Sequence, residues 1–109
     1  MIIRIWKVRI KEGMHENLKH FAMTESQPMF NNQEGCLGVL FTLDGNLCAT
    51  TTLWKDKESI EALKTSKSYI ETVDKIVATG MLDGESSIEI FNCFGGYLEM
   101  DAIKRALPS

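Results

Sequence analysis

Glu25 is the residue least suited to its surroundings in this sequence. It falls inside the apolar stripe of a helical pattern made by Met14, Leu18, Phe21 and Ala22. A carboxylate on such a face is paired, functional or turned to solvent. Arg4 is the matching oddity, because it alternates with Ile2, Trp6, Val8 and Ile10 on one face of the first strand pattern. With ordinary rises, Arg4 sits about 20 Å up that strand and Glu25 about 17 Å up the returning helix. An Arg4–Glu25 ion pair at the layer edge is therefore expected, with Glu25 as a pocket-lining acid or substrate anchor as the functional alternative. Trp54 ends a strand just before a helix, so it either packs at the corner or forms the aromatic wall of a pocket between helices and sheet. Trp6 has the same two readings. Thr50-Thr51-Thr52 is first of all a strand signal, but Thr50 shares a face with Thr52 and Trp54 and can hydrogen-bond a ligand. Trp54, Trp6 and Thr50, with Arg4 and Glu25, are the candidate binding residues for a small hydrophobic molecule. No catalytic acid–base pair stands out: His20 lies opposite the apolar stripe and His15 at its border, both read as surface.

These residues belong to one short domain. The chain has 109 residues, room for one core and no second domain. A net charge of −3 argues against nucleic acid as the main partner. No apolar run approaches the roughly 20 residues of a membrane span, and Arg4, Lys7 and Arg9 interrupt the N-terminal run, which reads as a strand and not a signal peptide. Cys36, Cys48 and Cys93 are odd in number, lack CxxC spacing and fall in predicted strands. They read as unpaired buried thiols of a reducing, cytoplasmic compartment, and no metal or iron–sulfur site is expected.

The elements that must position the candidates follow from periodicity. Met1 to Lys11 alternates as a strand. Met14 to about Gln27 has helical spacing, and Pro28 ends or kinks that helix. Gly35 to Leu43 and Leu47 to Trp54 flank Asp44-Gly45, which predicts a hairpin with a type I′ turn. A two-residue loop there pairs Leu43 with Asn46, Phe41 with Cys48 and Val39 with Thr50. Both hairpin faces carry apolar residues, with Leu37, Val39 and Phe41 on one and Leu40, Leu47 and Leu53 on the other. Asp56 is the expected N-cap of a short helix carrying Ile60 and Leu63. Ser68 and Glu71 read as a capping box, followed by Ile70, Val73, Ile76 and Val77 facing inward and Gly80 as C-cap. Ser87 to Phe94 is the last strand. The tail from Tyr97 to Leu107 reads as a short helix with Tyr97, Met100, Ile103 and Leu107 on one side. The order is β-α-β-β-α-β, the ferredoxin-like α+β plan over residues 1–96, with a tail helix over 97–109. Helices on a single face of an antiparallel sheet leave the other face for a second copy of the chain.

The Gly35-Cys36-Leu37-Gly38 run after a helix with Pro28, the Thr-rich Leu47 to Leu53, Trp54-Lys55-Asp56-Lys57-Glu58-Ser59-Ile60 and the Ser66-to-Tyr69 stretch carry a resemblance. Across roughly Ile2 to Phe94 the chain resembles the antibiotic biosynthesis monooxygenase-type family of dimeric α/β barrels. The resemblance implies a homodimer whose two sheets pack face to face, with a pocket in each subunit between sheet and helices. It also implies, for some members, oxidation of aromatic polyketides by molecular oxygen without metal or flavin, so no cofactor is expected. In those members the pocket uses an Asn four residues before the corner Trp, that Trp, and a Tyr six residues after it. Here Trp54 keeps the Trp, whereas Thr50 and Ile60 stand at the other two positions. Haem-degrading relatives use an Asn on the first strand, which this chain lacks, and a Trp and a His where Leu63 and Val73 stand.

Two functions follow as expectations. One is cofactor-independent oxidation of a small hydrophobic or quinone-like molecule, with an activated anion held in an apolar pocket by a few polar anchors. The other is a non-catalytic dimeric ligand-binding or stress-response module on the same fold.

Overall fold

A computed structural model describes residues 1–108. Strand β1 (Ile2–Arg9) leads through a tight turn into α1 (His15–Phe21), a π-helical turn (Ala22–Ser26) and α2 (Gln27–Asn31). The hairpin β2 (Cys36–Asp44) and β3 (Leu47–Trp54) follows, then α3 (Lys57–Glu61), a 3₁₀ turn (Ala62–Thr65), α4 (Lys67–Ala78), β4 (Ser87–Asn92) and α5 (Met100–Ala106). The four strands form one antiparallel sheet in the order β2-β3-β1-β4. This is the ferredoxin-like α+β plan, with the main helices on one face of the sheet.

The alternation of β1 places its side chains as expected. Ile2, Arg4, Val8 and Ile10 are buried beneath the helices, while Ile3, Ile5 and Lys7 lie on the open face and remain half-buried. The hairpin turn sits one residue later than expected, which moves each cross-strand partner by two. Asp44 pairs with Leu47, so Leu43 faces Cys48, Phe41 faces Thr50 and Val39 faces Thr52. The two loop residues are Gly45, at φ 59°, and Asn46, which does not have positive φ. A positive φ at the first central position alone belongs to a type II′ turn, not type I′. The turn is tied down by His15, whose Nε2 donates to the Gly45 carbonyl at 2.9 Å, and by Ile10 N–H to the Asn46 carbonyl at 2.8 Å. At the other end of β2 a bulge between Cys36 and Gly38 turns Cys36 toward the helices and leaves Leu37 exposed, off the Val39–Phe41 face predicted for it. Gly35 leads into it at φ 83°, and a Cβ there would collide with the Ser59 hydroxyl.

Pro28 does not end its helix. The π turn just before it makes the Gln27 N–H bond to Ala22, and the chain resumes α geometry through Asn31. A wider turn is where a residue that cannot donate and that crowds the i−4 carbonyl is accommodated. Asp56 caps α3 through bonds from Ser59 N–H (2.9 Å) and Ser59 Oγ (2.6 Å). The hydroxyl first, and then the N–H, hold its carboxyl below the ordinary carboxylate range. The cap of α4 is Ser66, bonded by Tyr69 N–H at 3.3 Å, not the predicted Ser68–Glu71 box. That start turns Ile76 inward and leaves Ile70, Val73 and Val77 exposed. The tail has no regular secondary structure at Tyr97 and is helical only from Met100.

The core divides into two clusters. Val8, Ile10, Leu18, Phe21, Cys48, Ile76 and Met81 pack near the hairpin tip. Ile2, Met29, Phe30, Trp54, Ile60 and Leu63 pack near the opposite end of the sheet. The three cysteines are unpaired.

Candidate functional site

Between the two clusters the middle of the sheet lies under a cleft. Its floor is Arg4, Trp6, Thr50 and Phe41, which belong to two rungs of the ladder. Ile88, Trp6, Thr50 and Phe41 form one rung across the four strands, and Ile90, Arg4, Thr52 and Val39 form the next. Residues directly opposite in antiparallel strands share a face, so all eight side chains point to the helix side. The roof comes from Phe21, Ser26, Met29 and Phe30 on the bent first helix and from Tyr69, Thr72, Val73 and Ile76 on α4. A second lobe runs toward Leu18, Ala22, Leu43 and Cys48 and shares Trp6, Phe21, Ser26, Phe41, Thr50 and Ile76 with the first. The lobes hold about 50 Å³ and 130 Å³ of free space, and the larger approaches the roughly 150 Å³ of a cavity that takes a benzene ring.

The polar groups in this apolar space are few. Arg4 is only 5% exposed. Its Nη2 donates to the Tyr69 hydroxyl at 2.8 Å, and its guanidinium carbon lies 5.6 Å from the centre of the Tyr69 ring. Tyr69 leans on Phe30 at 6.4 Å between ring centres, and Phe30 meets Trp54 edge-on at 6.5 Å, so an aromatic chain runs from the corner of the sheet to the arginine. Thr50 is buried between Trp6 and Phe41, with its hydroxyl 4.0 Å from Cys48 Sγ. Burial pushes the Cys48 thiol up, and the Thr50 contact offsets this only in part. Cys48 is thus held as a neutral thiol, not a nucleophile. No His, Asp or Glu lines either lobe. No cluster of three or more His, Cys, Asp or Glu side chains with metal-binding placement occurs among the described residues.

The candidates from sequence separate into two groups. Arg4, Trp6 and Thr50 come together on the floor of the cleft. Trp54 does not line it: the ring is fully buried in the end cluster, and its Nε1 donates to Thr52 Oγ1 at 2.7 Å, which in turn donates to the Arg4 carbonyl at 3.3 Å. Glu25 does not line it either, and the predicted Arg4–Glu25 pair is absent. Glu25 accepts from Lys75 of α4 at 3.4 Å on the surface. The straight-helix projection that places Glu25 in the apolar stripe fails at the π turn, whose wider winding rotates the following residues; Ser26 is the one that reaches the cleft. Sequence reasoning misses Tyr69, the partner of Arg4. A signal for it exists, since it stands seven residues before Ile76 on the same helix face, but a capping box placed two residues late hides it.

No protein-family model matches the sequence, and no curated protein matches it. Solved structures do match in fold. A monooxygenase from the gene ActVA-Orf6 of Streptomyces coelicolor, in complex with nanaomycin D, superposes with a TM-score of 0.76 at 13% identity, over 89% of this chain and 90% of that one. A candidate antibiotic biosynthesis monooxygenase from Deinococcus radiodurans gives 0.74 at 12% identity, over 90% and 97%. A point mutant of SnoaB, a cofactor-independent oxygenase from Streptomyces nogalater, gives 0.69 at 14% identity, over 90% and 97%. The chain thus has the fold of antibiotic biosynthesis monooxygenase-type proteins, as its hairpin and corner residues led one to expect. No helix among the described residues is long and apolar enough to cross a membrane.

Proposed function

We propose that the protein is a homodimeric, cofactor-independent oxygenase acting on a small hydrophobic, quinone-like aromatic molecule. The observation that carries the reading is the aromatic-walled cleft with a small set of convergent polar groups at mid-sheet, Arg4, Tyr69 and Thr50, and no acidic or imidazole side chain. Such a site suits a substrate acidic enough to ionise without a positioned base, held as its anion in low dielectric and met there by dissolved oxygen. In the expected reaction O₂ accepts four electrons from the substrate. One oxygen atom becomes a carbonyl on a ring methylene carbon, and the other leaves as water with the two hydrogens of that methylene. Two fold neighbours described as a monooxygenase and a cofactor-independent oxygenase support this class.

Homodimerisation is supported by the open face of the sheet. Ile3, Ile5, Leu53, Leu40 and Phe91 lie there, on the side away from the main helices, and Leu40 and Phe91 are 41% and 51% exposed. Phe94, Tyr97, Leu98 and Met100 of the tail are also exposed. A patch of this kind is rare on soluble monomers, and burying each large side chain contributes about 1.5–3 kcal/mol before association costs.

A second reading rests on one specific observation. No His, Asp or Glu among the described residues lines the cleft, which favours a non-catalytic ligand-binding module. Oxygen uptake separates the two. Purified protein supplied with a panel of hydroquinones and activated ring methylenes is expected to consume one O₂ per product without releasing peroxide. Absence of uptake with every member, alongside measurable binding, would replace the oxygenase reading with the binding module.

A further inference from the structure

Arg4 is a permanently charged side chain placed almost wholly out of water, and no described residue gives it a counter-charge. A guanidinium is not deprotonated at any ordinary pH. No carboxylate lies within 4 Å of it among the described residues, and the one hydrogen bond its guanidinium makes there is to the Tyr69 hydroxyl. A buried cation normally carries an anionic partner, because desolvation without one is costly. Its remaining N–H groups have no protein acceptor among the described residues, and none of its nitrogens is both sealed from solvent and unbonded. They therefore open onto the cleft that Arg4 lines. The nearby acidic side chains are engaged elsewhere: Glu25 with Lys75, and Glu89 with Lys7 at 2.7 Å on the opposite face of the sheet.

The geometry points to Arg4, steadied by Tyr69, as the counter-ion subsite for an oxyanion that the ligand itself brings. This inference rests on the cleft being the ligand site and names the substrate class: an aromatic acid, with a ring system between Trp6, Phe21, Phe30 and Phe41 and an ionised carboxyl or phenol oxygen against the guanidinium. The planar fork of arginine suits a carboxylate by two parallel bonds and a phenolate by converging ones. The Tyr69 hydroxyl, which accepts from Arg4, keeps its own proton free to donate to the same oxyanion. A neutral hydrophobic ligand of the same shape would fill the walls and leave the charge unanswered.

The test compares 2-naphthoate with the neutral isostere 2-naphthylmethanol by titration calorimetry on the intact protein, and follows 4-nitrophenol by its absorbance. Charge-assisted hydrogen bonds in a desolvated site correspond to a preference of roughly tenfold to a hundredfold. We expect naphthoate to bind with that preference over naphthylmethanol if the subsite takes carboxylates. If it takes phenolates, bound 4-nitrophenol is expected to shift toward its yellow ionised form at a fixed pH. Arg4→Gln should abolish whichever preference is seen while still binding naphthylmethanol, which shows that the cleft remains folded. Tyr69→Phe should reduce the preference and keep it. Equal affinity for the naphthyl pair together with an unshifted nitrophenol spectrum overturns the oxyanion subsite and leaves the hydrophobic cleft standing. A preference that survives Arg4→Gln also overturns it. Binding of neither naphthyl compound overturns the cleft reading itself.

Discussion

Replacing Trp54 by Phe separates a structural tryptophan from a substrate-touching one. The indole is fully buried, meets Phe30 edge-on at 6.5 Å and donates to Thr52 Oγ1 at 2.7 Å. Phe removes about three ring atoms from the end cluster, worth about 2 kcal/mol at roughly 0.8 kcal/mol for each buried carbon. The lost hydrogen bond adds about 0.5–1.5 kcal/mol. The loss stays at the low end because the Thr52 hydroxyl keeps its own acceptor, the Arg4 carbonyl. A total near 2–3 kcal/mol lowers Tm by roughly 10–20 °C for a domain of this size. Thermal unfolding followed by circular dichroism reads this directly. Binding of 2-naphthylmethanol at about 15 °C, well below the transition, should change less than about twofold, because Trp54 does not line the cleft. Trp6→Phe should do the reverse, with a small change in Tm and a weaker complex. A Trp54→Phe protein that keeps its Tm and loses binding would refute the assignment of Trp54 to the core.

Sedimentation at micromolar concentration should find a dimer, and Leu53→Lys on the open sheet face should give a monomer with unchanged helix content; a monomeric intact protein would refute the sheet-face interface. Removing the residues after Gly96 should weaken that dimer more than it lowers Tm, as the tail contributes exposed apolar groups and little to the core. Asp56 has a folded carboxyl held below its ordinary range by Ser59, so its contribution is present above the unfolded value and is lost as pH falls through the folded one. Asp56→Asn, which keeps a capping oxygen, should therefore differ from the parent in Tm at neutral pH and converge with it in acid; an equal gap at both pH values would contradict the cap.

The fold was legible because several independent patterns agreed. The alternation of Ile2, Arg4, Trp6 and Val8, the Thr-rich run into Trp54 and the Asp56 cap each admit one placement. The errors have local causes. Gly45 takes the positive φ of a type II′ turn, so the turn moves by one residue and each cross-strand partner by two, which leaves the faces of Phe41, Thr50 and Trp54 unaffected. A π turn is invisible to a projection at a constant angle, and it moves Glu25 out to Lys75 and Ser26 into the cleft. The floor of the site, Arg4, Trp6 and Thr50, could be named from strand alternation because a strand has only two faces. Its roof could not, since which of Tyr69 and Ile70 faces inward depends on where α4 begins, and two serines, Ser66 and Ser68, compete for that cap.

On the proposed reading, the ligand occupies the cleft over the middle of β1 and β3. A crystal structure of the protein with 2-naphthoate tests it most directly. The rings are predicted between Trp6, Phe30 and Phe41, with the carboxylate on Arg4 and the Tyr69 hydroxyl. Naphthoate found instead on the open sheet face or along the tail, with the cleft empty, would contradict the account.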